Sequence, residues 1–191
     1  MRYTTRRQYL QTGVTVAGVL GAGCLNNESS RVYEDTPPET PFEQDSKITF
    51  AVLPDTQFYS ENDPEVFDIQ TKWIAADWVD IDYVIHVGDL VQHWDNRREW
   101  ERASSSFSIL EKKNIPYGVV AGDHDNGIWA KGETDYSYYD EYFGYERFAD
   151  TPWYGGSSST QTNHHSYHLF KSDETPFIIL YLSFENSRQI P

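Results

Sequence analysis

An α/β fold is what this chain of 191 residues predicts. Two observations lead there. Three short, β-branched apolar runs each end at an aspartate. Phe50-Ala51-Val52-Leu53-Pro54 leads into Asp55, Tyr83-Val84-Ile85-His86-Val87 into Gly88-Asp89, and Val119-Val120-Ala121 into Gly122-Asp123. Runs of that length bounded by Gly or Pro read as buried strands. The second observation is spacing. Asp55 to Asp89 and Asp89 to Asp123 are both 34 residues, and a strand–helix–strand unit with parallel strands needs about 30. Parallel neighbours place all three aspartates past the C-terminal edge of one sheet, where open α/β folds build their sites.

The elements follow in order. Ile48 to Leu53 predicts the first strand. Asp63-Pro64 opens a helix, with Asp as N-cap and Pro at the first helical position. Its apolar stripe is Phe67, Ile74 and Trp78, with Ala75 filling in. Tyr83 to Val87 is the second strand. Asn96 caps the next helix, whose stripe is Trp100, Ala103, Phe107 and Leu110. Asn114 suits the end of that helix, and Pro116 bars its continuation. Tyr117 to Ala121 is the third strand. The stretch from Tyr136 to Tyr154 is crowded with aromatic residues. It reads first as a capping subdomain whose rings pack together, and second as a substrate-facing lid. Gly155 to Ser159 reads as a flexible loop. His165 to Phe170 and Phe177 to Phe184 read as an antiparallel pair across a turn at Asp173-Glu174-Thr175-Pro176.

Ahead of this domain, residues 1–24 read as a targeting segment. Thr5-Arg6-Arg7-Gln8-Tyr9-Leu10 resembles a twin-arginine export signal, and Val14 to Leu20 is too short an apolar run to span a bilayer. Ala22-Gly23-Cys24 resembles a lipobox, which makes Cys24 the site of lipidation. Cys24 is also the one cysteine in the chain, so no internal disulfide is available. Residues 25–46 are an acidic, Pro-containing linker with almost nothing to bury. Residues 47–191 then form one domain large enough for a real core.

The net charge is −15. Export processing removes Arg2, Arg6 and Arg7, leaving 12 basic against 30 acidic residues and a net charge of −18. Such a surface excludes nucleic acid as a groove-bound partner. It is also repelled by an anionic leaflet, so membrane contact is expected through the N-terminal lipid anchor alone. The acidic, Lys-poor composition reads as the solvated shell of a halophile. The sequence carries no signal for an oligomeric state.

Three carboxylates in one dry cleft repel one another unless cations lie between them. Oxygen donors of this kind suit hard or borderline divalent ions. The residues also carry a resemblance. Asp55-Thr56-Gln57, Gly88-Asp89-Leu90-Val91-Gln92 and Gly122-Asp123-His124-Asp125 resemble, in order, the first three blocks of the calcineurin-like metallophosphoesterases. Those blocks run D-x-H, G-D-x-x-D and G-N-H-D/E, and a later His and a terminal G-H-x-H follow them. The Pro-Asp-Thr-Gln form of the first block resembles a secreted branch of that family. The resemblance extends over about residues 47 to 185.

The resemblance implies a layered α/β/β/α sandwich, incomplete at the C-terminus in this chain. It implies hydrolysis of a phosphate mono- or diester outside the membrane with two divalent metal ions drawn from Mn, Fe, Zn, Mg or Ca. By the same resemblance Asp55 and Gln57 bind the first metal, Asp89 bridges both, and Asp123 binds the second. His124 protonates the leaving alkoxide or stabilises the phosphoryl group. Gln92 and His93 lie near the expected phosphate, and Asp125 supports its loop.

Departures from the family pattern sharpen the expectations. Gln57 stands where a His ligand is usual, which tilts the site toward Mn, Mg or Ca. Asp123 stands in place of Asn and adds a negative charge. Gln92 replaces the acid that orients the catalytic His, which makes His124 less basic. The later His ligands have no counterpart in these 191 residues, so weak binding of one metal and turnover near background are expected. The alternative is a non-catalytic metal- or ligand-binding lipoprotein, or a gene fragment. His164, His165 and His168 read as strand and loop histidines rather than replacements, His86 as a core histidine, and Asp95 as a cap or turn residue.

Overall fold

The computed structural model describes residues 48–172 and 175–184. The export signal, Cys24, the linker and part of the Asp173–Pro176 turn lie outside the described residues. The order of elements is β1 (Phe50–Leu53), α1 (Gln57–Glu61), α2 (Pro64–Ile74), β2 (Tyr83–His86), α3 (Arg97–Lys112), β3 (Tyr117–Gly118), α4 (Ile128–Lys131), α5 (Ser137–Phe143), α6 (Tyr145–Phe148), β4 (Tyr154–Ser157), β5 (His165–Ser172) and β6 (Thr175–Leu182).

β1, β2 and β3 form a parallel sheet in that order, with Leu53 opposite His86 and Ile85 opposite Gly118. β4, β5 and β6 form an antiparallel sheet. The fold is therefore α/β, with helices on one face of the parallel sheet and the second sheet on its other face.

The helix face carries the main core. α3 buries Trp100, Ala103, Phe107 and Leu110 completely, at the stripe positions the sequence marks. Phe107 meets Phe67 of α2 edge-on, at 5.6 Å between ring centroids. Burying one such ring stabilises the fold by about 1.5–3 kcal/mol. Asn96 caps α3, its side-chain oxygen accepting from the Arg98 N–H. Asn114 takes a left-handed φ of 53° just past the end, a conformation Asn tolerates better than most residues.

α2 departs from expectation. It begins at Asp63-Pro64 as predicted, but it ends at Ile74 and its buried face is Phe67, Thr71 and Ile74. Thr71 is accommodated because its hydroxyl donates to the Phe67 carbonyl, which satisfies a buried polar group within the helix itself. Trp78 lies beyond the helix, 42% exposed, and stacks edge-on against Trp73.

The sheet–sheet interface is aromatic. Tyr83 of β2 stacks on Phe170 of β5 at 5.0 Å, and Phe50 of β1 meets Phe170 and Phe177 edge-on. Tyr181 of β6 lies so close to β3 that a Cβ on Gly118 would fall 2.5 Å from its ring. His168 is buried in this layer, its Nδ1 paired with the Tyr83 hydroxyl. The outward row on β6, Ile178, Leu180 and Leu182, is exposed.

The aromatic segment packs. Trp100 meets Tyr139, Tyr142 and Phe143, Tyr117 meets Phe148, and Phe148 meets Tyr154. These rings run from α3 across β3 to the second sheet. The Gly155–Ser159 stretch is in part a strand rather than a loop. Gly155 and Gly156 lie against the Tyr167 ring, and a Cβ on Gly155 would fall 2.3 Å from it. Glycine there serves close approach of a neighbouring ring, at the register shift between β4 and β5.

Candidate metal centre

The C-terminal ends of β1, β2 and β3 deliver Asp55, Asp89 and Asp123 to one cleft of about 510 Å³, also lined by Val87, Leu182 and Phe184. Ligand-capable atoms of Asp89, Asp123 and His124 lie within 4.8 Å of one another. Asp55 lines the same cleft and lies close enough for its charge to act on Asp89.

Backbone geometry allows this convergence. Gly88 takes a φ of 108°, and Asp89 follows with a left-handed φ of 53°. Non-glycine residues rarely adopt that conformation, and such outliers collect at functional sites. Gly122 passes directly beneath the Asp89 side chain, where a Cβ would fall 2.1 Å from Asp89 Oδ1. No other residue fits there without displacing Asp89.

The three loops are tied to one another. The Thr56 N–H donates to the Asp89 carbonyl at 3.0 Å. The His124 N–H donates to Asp89 Oδ1 at 3.2 Å. Asp125, fully buried, accepts from the Val91 N–H and the Gly122 N–H. The Gly88 N–H donates to His86 Nδ1, so His86 Nε2 carries the proton and donates to Thr56 Oγ1. Ser60 donates to the Leu90 carbonyl at 2.6 Å.

Negative charge is crowded in the cleft. Burial raises the Asp89 pKa, the His124 N–H opposes the rise, and the neighbouring Asp123 and Asp55 charges add to it. Burial pushes Asp125 up to about 7, against the N–H groups of Gly122, Leu90 and Val91 that favour its carboxylate. Gln57 Oε1 is buried without a partner. Clustered carboxylates fit a hard divalent cation, which accepts oxygen donors, and Gln57 is not among the residues that line their cleft.

His124 Nδ1 lies 2.9 Å from the Gln92 carbonyl oxygen. A carbonyl only accepts, so Nδ1 carries the proton and Nε2 is not engaged by that bond. The main chain of Gln92 thus supplies the orienting acceptor that its amide side chain was expected to lack. The Gln92 side-chain oxygen is itself buried without a partner. His93 is held by Glu99 at 2.9 Å, and that hydrogen bond raises its pKa. Glu99 also accepts from the N–H groups of Gln92 and His93. Asp95 is exposed. His164 stacks on Tyr136 and pairs with Asp140, His165 accepts from the Ser183 N–H, and His168 is in the sheet interface. None of those three belongs to the cluster of Asp89, Asp123 and His124.

Several contributors escaped the sequence reading. Glu99 resembles a solvated helix charge, yet it is 1% exposed and braces the loop that follows Asp89. Its signal is the spacing Asn96-x-x-Glu99, the form of a capping box, and Asn96 Nδ2 does donate to Glu99. Thr56 and Ser60 carry no such signal. They matter only because the turn into α1, itself unpredicted, places Thr56 against His86 of β2 and Ser60 against the Leu90 carbonyl.

A family profile described as calcineurin-like phosphoesterase matches residues 48–188. The chain belongs to the calcineurin-like phosphoesterase family. A relative, the uncharacterized protein YvnB of Bacillus subtilis (strain 168), is 40% identical over 155 residues, a match that takes in 80% of this chain and 11% of that protein. The chain thus spans a small part of the length of the relative it matches. The family's broad chemistry is phosphoester hydrolysis with divalent metal, and the cluster of Asp89, Asp123 and His124 is a candidate place for such a metal.

Proposed function

We propose that this phosphoesterase domain hydrolyses phosphate mono- or diesters. The observation that carries the reading is the meeting of Asp89, Asp123 and the His124 ring within 4.8 Å at the end of the parallel sheet. Asp55 and Gln57 would hold one divalent ion and Asp123 a second, with Asp89 available to both, since a carboxylate has two oxygens. When bound, such ions neutralise phosphoryl oxygens and acidify water. His124 is the proton donor to the leaving oxygen. Its Nδ1–H on the Gln92 carbonyl fixes the ring for acid–base work. Gln57 favours Mn, Mg or Ca over zinc.

The test pairs binding with turnover. Calorimetric titration with Mn should show Asp89→Asn losing more affinity than Gln57→Ala, and Asp89→Asn should also abolish Mn-dependent hydrolysis of an aryl phosphate. Equal, negligible losses of affinity in both variants would remove the metal site. Intact metal binding without turnover in the unaltered chain would leave a metal-binding protein rather than an enzyme.

The domain is exported and anchored by lipid on Cys24, a reading supported by Arg6-Arg7 and by a lone cysteine after small residues. Replacing Cys24 by Ser should move the protein from the membrane fraction to the medium. Equal retention of both forms in the membrane would sink the anchor.

A further inference from the structure

His124, which meets Asp89 and Asp123, also has an aromatic neighbour. Its imidazole stacks against the Trp129 indole, with ring centroids 4.8 Å apart and planes 30° apart. Trp129 is nevertheless 50% exposed. A large aromatic side chain left half in water beside the expected proton donor contributes little to the core.

Its position is set by a rigid mount. Gly127 starts α4 at a left-handed φ of 69°, and Gly132 ends it at 74°. The Asn126 side-chain oxygen accepts from the Ile128 N–H, and Ile128 is buried. Gly127 lies against the Trp94 ring, where a Cβ would fall 2.6 Å away, and the Lys131 ammonium sits 4.9 Å over that same ring. The one turn of helix that carries Trp129 is therefore held at both ends. Its indole is a preset surface, which costs little to order when something stacks on it.

We propose that Trp129 forms a leaving-group subsite, and that the preferred substrates are aryl phosphoesters, in which a planar ring is bonded directly to the bridging oxygen. The proposal rests on the phosphoesterase reading given above. An ester oxygen within reach of His124 Nε2 puts a ring bonded to it beside the indole stacked on that same His124. Longer, flexible alcohols would carry any ring past this surface. Stacking on an exposed indole would favour an aryl over an alkyl group by roughly threefold to tenfold, the range one aromatic pair supplies.

The test uses the full chain loaded with Mn and two non-hydrolysable probes, phenylphosphonate and methylphosphonate, titrated by calorimetry. The unaltered protein should bind phenylphosphonate several-fold more tightly. Trp129→Ala should bring the ratio of the two affinities to about one, and Trp129→Phe should restore part of it. Methylphosphonate binding with no phenyl preference in the unaltered protein would overturn the subsite while leaving the phosphoesterase reading intact. A loss in Trp129→Ala that is equal for both probes would also overturn it, and would assign Trp129 to holding His124. Failure of both probes to bind would overturn the phosphoesterase reading and the subsite with it.

Discussion

In a chain that also supplies the later His ligands, replacing His124 with alanine should lower Mn-dependent turnover of an aryl phosphate by roughly 10²–10⁴-fold, the range a positioned acid–base group supplies. The expectation follows from its geometry. Nδ1 is fixed on the Gln92 carbonyl, and the ring is backed by Trp129 and faces Asp89 and Asp123. Two roles are open to a ring nitrogen so placed, and the variant separates them. A proton donor leaves Mn affinity near its original value and removes turnover. A metal ligand lowers both together. Unchanged turnover would remove His124 from the chemistry altogether.

A second large effect concerns acid. His86 and His168 are both fully buried, and burial pushes their pKa values down to about 3 and about 4. In the unfolded chain each returns to about 6.5. Between those limits the unfolded state binds protons that the folded state refuses, so stability is level above neutrality and falls as pH drops through 6.5. The slope is about 1.4 kcal/mol per pH unit for each histidine, or roughly 4 kcal/mol for the pair between pH 7 and pH 5. Urea unfolding at the two pH values measures it. His168→Gln keeps an acceptor for the Tyr83 hydroxyl but does not titrate, so it should recover about half of the loss. An identical acid loss in His168→Gln would mean that His168 is not held neutral in the interface.

Much of the fold was legible. The strand–aspartate theme and the 34-residue spacing located all three loops of the cleft, because parallel strands force their C-terminal ends onto one edge. The α3 stripe was legible because four large or small apolar positions recur at helical period. What escaped depended on tertiary contact. The Trp73–Trp78 pair is a surface contact that apolar periodicity cannot separate from core. The Gly155-Gly156 pair was indistinguishable from loop glycine, since the Tyr167 ring that requires it lies a strand away. The acceptor for His124 was sought in a side chain and came from a carbonyl, which every residue carries and no sequence displays.

The bonds that cross between the three loops have a consequence for how loading and folding are connected. Thr56 to Asp89, His124 to Asp89, and Asp125 to Val91 and Gly122 tie the cleft together through the protein's own hydrogen bonds. A cation that needs Asp55, Asp89 and Asp123 together has no comparable site on the unfolded chain. Its binding is then added in full to the stability of the domain, about 2.7 kcal/mol when free metal stands at 100 times its Kd. The concentration of divalent metal around the protein would thereby govern how often this edge of the sheet opens, as well as how fast the site turns over.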